Sequence, residues 1–261
     1  MPNNLSHTIR TINRFELKYL LPLRQAEAFK QALSAYLSPD KNGNGEGRYN
    51  ITSLYYDSPD LRFYWEKMNG IKFRRKLRIR QYETGAALSA ESPVFVEIKQ
   101  HLDRVTQKRR VLLPYKDALY LCDQREIPQH EPADKAFIDE VYTMLWQYNL
   151  QPVSLIRYDR SAWIGSDYDI GLRITFDTNL TYSTGQQNLH QVQPSLPMFP
   201  PDWVIMEIKV NERIPYWLTE LVAAHNLQLT RVSKYCRSIE LSQDFRPVRF
   251  FLETDQVKLL T

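Results

Sequence analysis

The stretch Lys72-Phe73-Arg74-Arg75-Lys76-Leu77-Arg78-Ile79-Arg80 alternates with a period of two. Lys72, Arg74, Lys76, Arg78 and Arg80 share one face; Ile71, Phe73, Leu77 and Ile79 share the other, which only Arg75 interrupts. Successive side chains of a strand point to opposite faces of a sheet, so this alternation predicts a half-buried strand rather than a helix. Its polar face is a row of cations spaced ~6.6 Å apart. Like charges in such a row repel, and a polyanion would offset the repulsion. A merely solvated basic face is the plainer alternative.

The 261 residues hold no linker, so a single domain over 1–261 is expected, with a core at about 14–241 and a tail at 242–261. Net charge is only +4, with 34 basic and 30 acidic residues. The cations therefore matter by where they sit, and a general nucleic-acid binder is not expected. No apolar run approaches the length of a membrane helix, and residues 1–14 lack the apolar core of a signal peptide. Cys122 and Cys236 are far apart and have neither metal nor redox spacing. A reducing, cytoplasmic location is expected. No HExxH or GxxxxGK[ST] pattern occurs, which argues against a zinc site or a P-loop of the usual form.

Alternation and turn residues predict strands at 14–20, 49–57, 72–80, 94–101, 104–112, 155–163, 170–177 and 203–210. Helices are expected at 22–37, 114–126, 133–149, 215–226 and 233–241. A further short helix should start with Ser58 as N-cap and Pro59 at its first position, burying Leu61, Tyr64 or Trp65, and Met68. Gly165-Ser166-Asp167 reads as a hairpin turn, and 178–202 as a long irregular segment, functional or mobile.

One triplet recurs: Glu16-Leu17-Lys18, Glu97-Ile98-Lys99 and Glu207-Ile208-Lys209. Each places an acid and a base on one strand face and an apolar residue on the other. Tyr158 and Arg160 share a face, as do Arg173, Thr175 and Asp177, and Arg104, Thr106, Lys108 and Arg110. Strands with one charged and one apolar face predict an α+β protein: an eight-stranded antiparallel β tunnel, a closed barrel with a basic lumen and helices packed on the outside. Buried charges must meet one another, water or an anion. Glutamates among the cations suit a hard divalent ion, Mg²⁺ or Mn²⁺, that bridges to phosphate oxygens.

The motifs Phe15-Glu16-Leu17-Lys18-Tyr19, Ser53-Leu54-Tyr55-Tyr56-Asp57, Leu77-Arg78-Ile79-Arg80, Phe95-Val96-Glu97-Ile98-Lys99, Arg160, Leu172-Arg173-Ile174, Met206-Glu207-Ile208-Lys209 and Ser233-Lys234-Tyr235 run in order along nearly the whole chain. Together they resemble the VTC domain, the polyphosphate polymerase branch of the CYTH or triphosphate tunnel metalloenzyme superfamily. The resemblance implies a basic tunnel for a triphosphate and a metal on Glu207. It implies catalytic roles for Arg78, Arg80, Arg160, Arg173 and Lys209. Substrate contacts are expected from Lys18, Lys76, Lys99, Lys108, Ser233 and Lys234. Glu97 and Glu16 are further metal candidates, or salt-bridge partners of nearby lysines. The superfamily's ExExK first strand reads Arg14-x-Glu16-x-Lys18 here, with a base in place of one acid.

The implied activity is Mn²⁺- or Mg²⁺-dependent transfer of the terminal phosphoryl of a nucleoside triphosphate, ATP in the first place, to a growing polyphosphate chain. Hydrolysis of inorganic triphosphate or a nucleoside triphosphate is one alternative, and polyphosphate binding without turnover another. The expected partners are nucleoside triphosphate and polyphosphate. Nucleic acid is not expected, because glutamates share the basic faces. Tyr55 and Tyr56 read as packing residues. No SPX-like regulatory segment and no membrane segment is read in these residues, so the domain is expected to stand alone.

Overall fold

β-branched and aromatic residues alternating with charged ones make strands, and Gly, Asn and Pro punctuate them. The computed structural model describes residues 14–41, 47–83, 87–103, 105–165, 169, 171–185, 188–189, 195–211 and 213–243. The elements are β1 (Arg14–Pro22), α1 (Leu23–Leu33), β2 (Ser38–Pro39), β3 (Arg48–Asp57), α2 (Arg62–Met68), β4 (Phe73–Tyr82), β5 (Pro93–Leu102) and β6 (Val105–Pro114). There follow α3 (Tyr115–Cys122), a 3-10 turn (Pro132–Asp134), α4 (Lys135–Gln147), β7 (Gln151–Ile164), β8 (Arg173–Thr184), β9 (Leu196–Pro197), β10 (Trp203–Asn211), α5 (Tyr216–Ala224) and α6 (Lys234–Ser242). Ser166 and Asp167 of the expected turn, Arg104 and the tail from 244 lie outside the described residues.

The long strands form an antiparallel curled sheet in the order β1-β10-β8-β7-β3-β4-β5-β6. The expected closed barrel is corrected to an open one. Edge strands β1 and β6 come within 8 Å at some Cα pairs, yet no ladder joins them among the described residues. On the concave side Lys99 Nζ of β5, the strand next to β6, donates to Glu16 of β1 at 2.9 Å, so an ion pair links the two ends of the sheet where no backbone ladder does.

Apolar residues of the strands face the convex side. There α1 and α5 cover Tyr19, Ile174, Met206 and Ile208, and α3 and α4 cover Leu54, Leu77, Ile79, Val96 and Val111. Arg75 and Arg109 emerge on this side and meet Glu140 of α4. Ile71 and Phe73, expected on the covered face, are exposed at 46% and 45%. They precede the part of β4 that the helices cover. In α4 Ala136 is exposed, whereas Phe137 and Ile138 are buried.

The expectation of helices only on the outside is corrected by α6, which packs on the concave face. Tyr235, Cys236 and Ile239 join Ile51, Tyr55, Ile156 and Tyr158 in one buried cluster, and the Ser238 and Ser154 hydroxyls lie 2.7 Å apart. The short helix also differs from expectation. It begins at Arg62, after Leu61 at φ 57°. Ser58 Oγ accepts from Arg62 N–H at 2.9 Å, and the Asp57 carboxylate accepts from the N–H groups of Ser58, Phe63 and Tyr64 at 2.8–3.0 Å. The helix thus starts three residues later than expected; Leu61 and Tyr64 are buried as expected, Phe63 is buried with them, and Trp65 and Met68 are exposed.

The segment expected to be irregular from 178 instead continues β8 to Thr184, and Leu196–Pro197 pairs with it. A bulge places Asn179 at φ 50° and shifts the register with β7. One extra residue flips the alternation, so Asp177 and Leu180 share the concave face. Period-two reading stops at such a flip. No helix among the described residues is long and apolar enough to cross a membrane.

Candidate active site

The concave face holds a cavity of about 100 Å³ that opens to solvent. Eight cationic side chains line it against two carboxylates, Glu16 and Glu207. β4 delivers Lys76, Arg78 and Arg80 by its alternation. Lys72 and Arg74, expected to point inward with them, do not reach the cavity wall. Arg74 lies past its end and donates to Ile71 O at 2.6 Å.

Each arginine is held in place by groups behind it. Arg78 donates through Nε and Nη2 to Glu97 at 2.9 and 2.6 Å, and through Nη1 to Tyr55 Oη at 2.8 Å. Arg80 donates to Ser53 Oγ at 3.1 Å and to Tyr158 Oη at 3.2 Å. Arg160 grips Asp177 through Nε and Nη2 at 2.6 and 2.7 Å. Glu97 and Asp177 are fully buried. Burial opposes the ionised form of Glu97, but Arg78, Arg80 and Lys108 outweigh it and hold the carboxyl well below the ordinary range. The same contest at Asp177 is decided by Arg160 and Lys234. These carboxylates fix the arginines from behind, so little reorganisation is needed when an anion arrives.

The lysines surround Glu207. Its carboxylate lies 2.9 Å from Lys209 Nζ, 3.1 Å from Lys234 Nζ, 3.3 Å from Lys18 Nζ and 3.8 Å from Arg160 Nη2. Antiparallel register sets this up: Lys18 faces Glu207 across the β1–β10 ladder, and Glu16 faces Lys209. Lys18 also lies 3.4 Å from Glu16. Lys234 enters from the first turn of α6, whose N-cap Ser233 accepts from Cys236 N–H and, at 2.9 Å, from Lys76 Nζ. Burial pulls Lys99 and Lys209 below their ordinary values, and Glu16 and Glu207 only partly offset it. With eight cations set against Glu16 and Glu207 on its wall and Glu97 and Asp177 behind, the cavity is short of negative charge.

The structure brings Lys18, Lys76, Arg78, Arg80, Lys99, Arg160, Lys209, Ser233 and Lys234 together around the cavity with Glu16 and Glu207. Three of the residues singled out from sequence stand elsewhere. Arg173 pairs with Asp40 at 2.6 Å and donates to Tyr49 Oη at 2.7 Å, away from the cavity wall. Lys108 is bonded to Glu97 at 3.0 Å, and Glu97 sits behind the arginines. Sequence reading placed Asp177 on the inner face without a role, and its place opposite Arg160 in the β7–β8 ladder gives it one. It also took Tyr55 and Tyr56 alike as packing. Tyr56 is core, while Tyr55 lines the cavity with Tyr158 and Tyr235.

Tyr55 yields a direct test of this field. Burial disfavours its phenolate, yet Arg78, Arg80 and Lys76 together bring the phenol down to about 8. An ultraviolet tyrosinate titration of the ligand-free protein should show one group ionising near pH 8 that disappears in Tyr55→Phe. Tripolyphosphate in the cavity should raise that midpoint, because its charge offsets the arginines. A Tyr55→Phe titration identical to wild type would refute the assignment.

Glu16 and Glu207 are also the groups that could hold a divalent ion. Among the described residues no three His, Cys, Asp or Glu side chains converge as a metal cluster. Mg²⁺ and ions like it are held by one or two carboxylates completed by substrate phosphates and water, and these two cavity-facing carboxylates fit that mode. Thr175 Oγ1 is fully buried opposite Glu207 in the β8–β10 ladder and has no hydrogen-bond partner among the described residues, so it could bond a water there. Glu97 does not line the cavity: it sits behind Arg78, Lys108 and Arg110, out of reach of a phosphate held there.

The family model of the VTC domain matches residues 13–243. None of the curated proteins matches the chain. Among solved structures, an adenylyl cyclase candidate from Hippeastrum, described as having a dominant triphosphatase activity, is 12% identical at a TM-score of 0.53, over 90% of this chain and 99% of that one. An adenylate cyclase candidate from Bacillus halodurans is 14% identical at a TM-score of 0.46, over 90% of this chain and all of that one. The likeness to the Hippeastrum protein is one of fold.

Proposed function

The chain belongs to the VTC domain family, and from that premise we propose that its concave cavity transfers the terminal phosphoryl of a nucleoside triphosphate to a growing polyphosphate chain. The observation that carries this reading is the set of eight cations around one cavity, the arginines among them anchored from behind by buried carboxylates. Phosphoryl transfer asks a protein chiefly for positioning and charge stabilisation. Arg78, Arg80 and Arg160 present guanidinium groups whose planar geometry suits phosphate oxygens, and Lys209 adds a mobile point charge. Lys18, Lys76, Lys99 and Lys234, with the Ser233 hydroxyl, line the path of the remaining phosphates. Arg173 and Lys108 support the wall rather than grip phosphate.

In the proposed reaction a terminal oxygen of the polyphosphate attacks the γ-phosphorus. The bond from that phosphorus to the β–γ bridging oxygen breaks, and the nucleoside diphosphate leaves with the electron pair. The arginines neutralise charge on the equatorial oxygens throughout. Glu207 and Glu16 would hold Mn²⁺ or Mg²⁺, which when bound supplies further neutralisation of phosphate charge.

The test is to incubate the purified protein with ATP and Mn²⁺ and to resolve the products by gel and phosphorus NMR. Long chains together with nucleoside diphosphate are expected. Orthophosphate alone would make the protein a hydrolase, and tripolyphosphate binding without turnover would make it a binding domain.

A further inference from the structure

The basic concave face does not stop at the cavity wall. In the β4–β5 ladder Lys76 pairs with Lys99, both on that wall, and the next inward-facing pair is Arg74 with His101. One such step is ~6.6 Å along the strands. Lys67 stands in the last turn of α2, where Glu66 O accepts from Ile71 N–H at 3.0 Å while Ile71 O accepts from Arg74 at 2.6 Å, so the helix end and the start of β4 meet here. Burial first, and then Arg74, depress the pKa of both Lys67 and His101. Neither Lys67 nor Arg74 has a carboxylate within ion-pair distance among the described residues. The acids that do act on this group, Glu66 on Arg74 and Glu16 on His101, are each paired with another cation, Glu66 with Arg62 at 3.0 Å and Glu16 with Lys99 at 2.9 Å. This contrasts with the anchored arginines of the cavity.

The opposite end of the same ladder has a different character. Beyond Arg80 stand Tyr82 and Phe95 in edge contact, with Arg110 laid over the Phe95 ring at 4.0 Å and Tyr49 against Tyr82. Aromatic surface faces the concave side there, whereas the Arg74–His101 end carries cations short of counter-charge. A polyanion longer than the cavity would offset their repulsion.

We propose that Lys67, Arg74 and His101 form a second subsite, which holds the extended part of a polyphosphate chain whose end lies in the cavity. This rests on the polyphosphate reading above and adds the direction in which the chain runs. The test compares tripolyphosphate with long-chain polyphosphate by calorimetry, without metal, for wild type and for the double variant Lys67→Gln, Arg74→Gln. Glutamine keeps much of each stem, and both residues are only half-buried. Ionic strength is kept near physiological, where the Debye length is about 8 Å and distant charges are screened.

Wild type should bind the long chain more tightly than tripolyphosphate. The double variant should lose about tenfold per cation removed on the long chain, the fold-change of one charge-assisted contact, and keep its tripolyphosphate affinity. Adding His101→Gln should weaken the long chain further. Equal losses on both ligands would place these cations in the general field of the cavity and overturn the subsite. No loss on the long chain would overturn it too, as would a wild type that binds both ligands alike. A wild type that binds neither ligand would instead overturn the parent reading, and this one with it.

Discussion

Glu207→Gln is expected to abolish Mn²⁺-dependent turnover, lower the stability of the ligand-free protein and tighten metal-free tripolyphosphate binding. All three effects follow from one position. Glu207 is the carboxylate on which Lys18, Lys209, Lys234 and Arg160 converge, and it is 4% exposed. Burial works against its charge, but Lys18, Lys209, Lys234 and Arg160 hold its pKa well below the ordinary value. A neutral amide leaves these cations facing one another with Glu16 and Asp177 as remaining acids. Loss of one partner from a buried ion pair costs about 3 kcal/mol, an upper figure here because Lys18 and Lys209 keep some solvent.

Tripolyphosphate supplies the missing charge, so the variant should recover more melting temperature on adding it than wild type does. Turnover falls because the variant has lost one of the two carboxylates suited to a divalent ion. Three measurements decide the matter: thermal melts with and without tripolyphosphate, calorimetric tripolyphosphate affinity without metal, and Mn²⁺-dependent turnover. Retained turnover with lost stability would leave Glu207 as an ion-pair hub only and pass the metal role to Glu16.

Arg78→Ala should damage binding and turnover together and destabilise the protein in a pH-dependent way. Arg78 faces the cavity and supplies two of the hydrogen bonds on fully buried Glu97. A charge-assisted contact contributes about 1.5–3 kcal/mol, so tripolyphosphate affinity should fall by roughly 10- to 150-fold. Turnover should fall at least as far, since the same guanidinium faces the charge that develops during transfer. Arg78→Lys should rescue only part of either, because an ammonium lacks the planar pair of donors that Glu97 receives.

The sign of the pH effect follows from Glu97. Its folded pKa lies below its unfolded one, so its pairing contributes stability above the unfolded carboxylate range, about pH 4.3, and that contribution is lost as pH falls toward the folded value. Removing Arg78 weakens this term. The stability gap between wild type and variant should be widest near neutral pH and narrow in acid. Denaturant melts at a series of pH values check it, and a gap that widens in acid would contradict the Glu97 account.

How much of this was legible beforehand depends on the range of the interaction. Strand faces are local. Period-two alternation put Arg78 and Arg80 on one side and Leu77 and Ile79 on the other, and the coordinates keep them there. The repeated Glu-apolar-Lys triplet likewise marked Glu16, Lys18, Lys99, Glu207 and Lys209 as inner-face residues, and all five line the cavity. Alternation failed where one residue broke the period: at Asn179, whose bulge hid the second half of β8. It also failed beyond Lys76, where being on the right face did not carry Lys72 and Arg74 to the cavity.

The sequence by itself determined which side chains share a face, because that is set by backbone geometry two residues at a time. Only the tertiary structure decided which of them meet. Glu97 and Glu207 occupy identical triplets, yet curvature and strand order enclose one behind Arg78, Lys108 and Arg110 and turn the other into the cavity. Arg173 and Arg160 were equivalent as inward arginines, yet Arg173 meets Asp40 from the loop beyond β2 and Arg160 meets Asp177. The open seam between β1 and β6 and the seat of α6 on the concave face were decided in the same way. Ion pairs and helix packing join residues some eighty or more positions apart, and no local period records them.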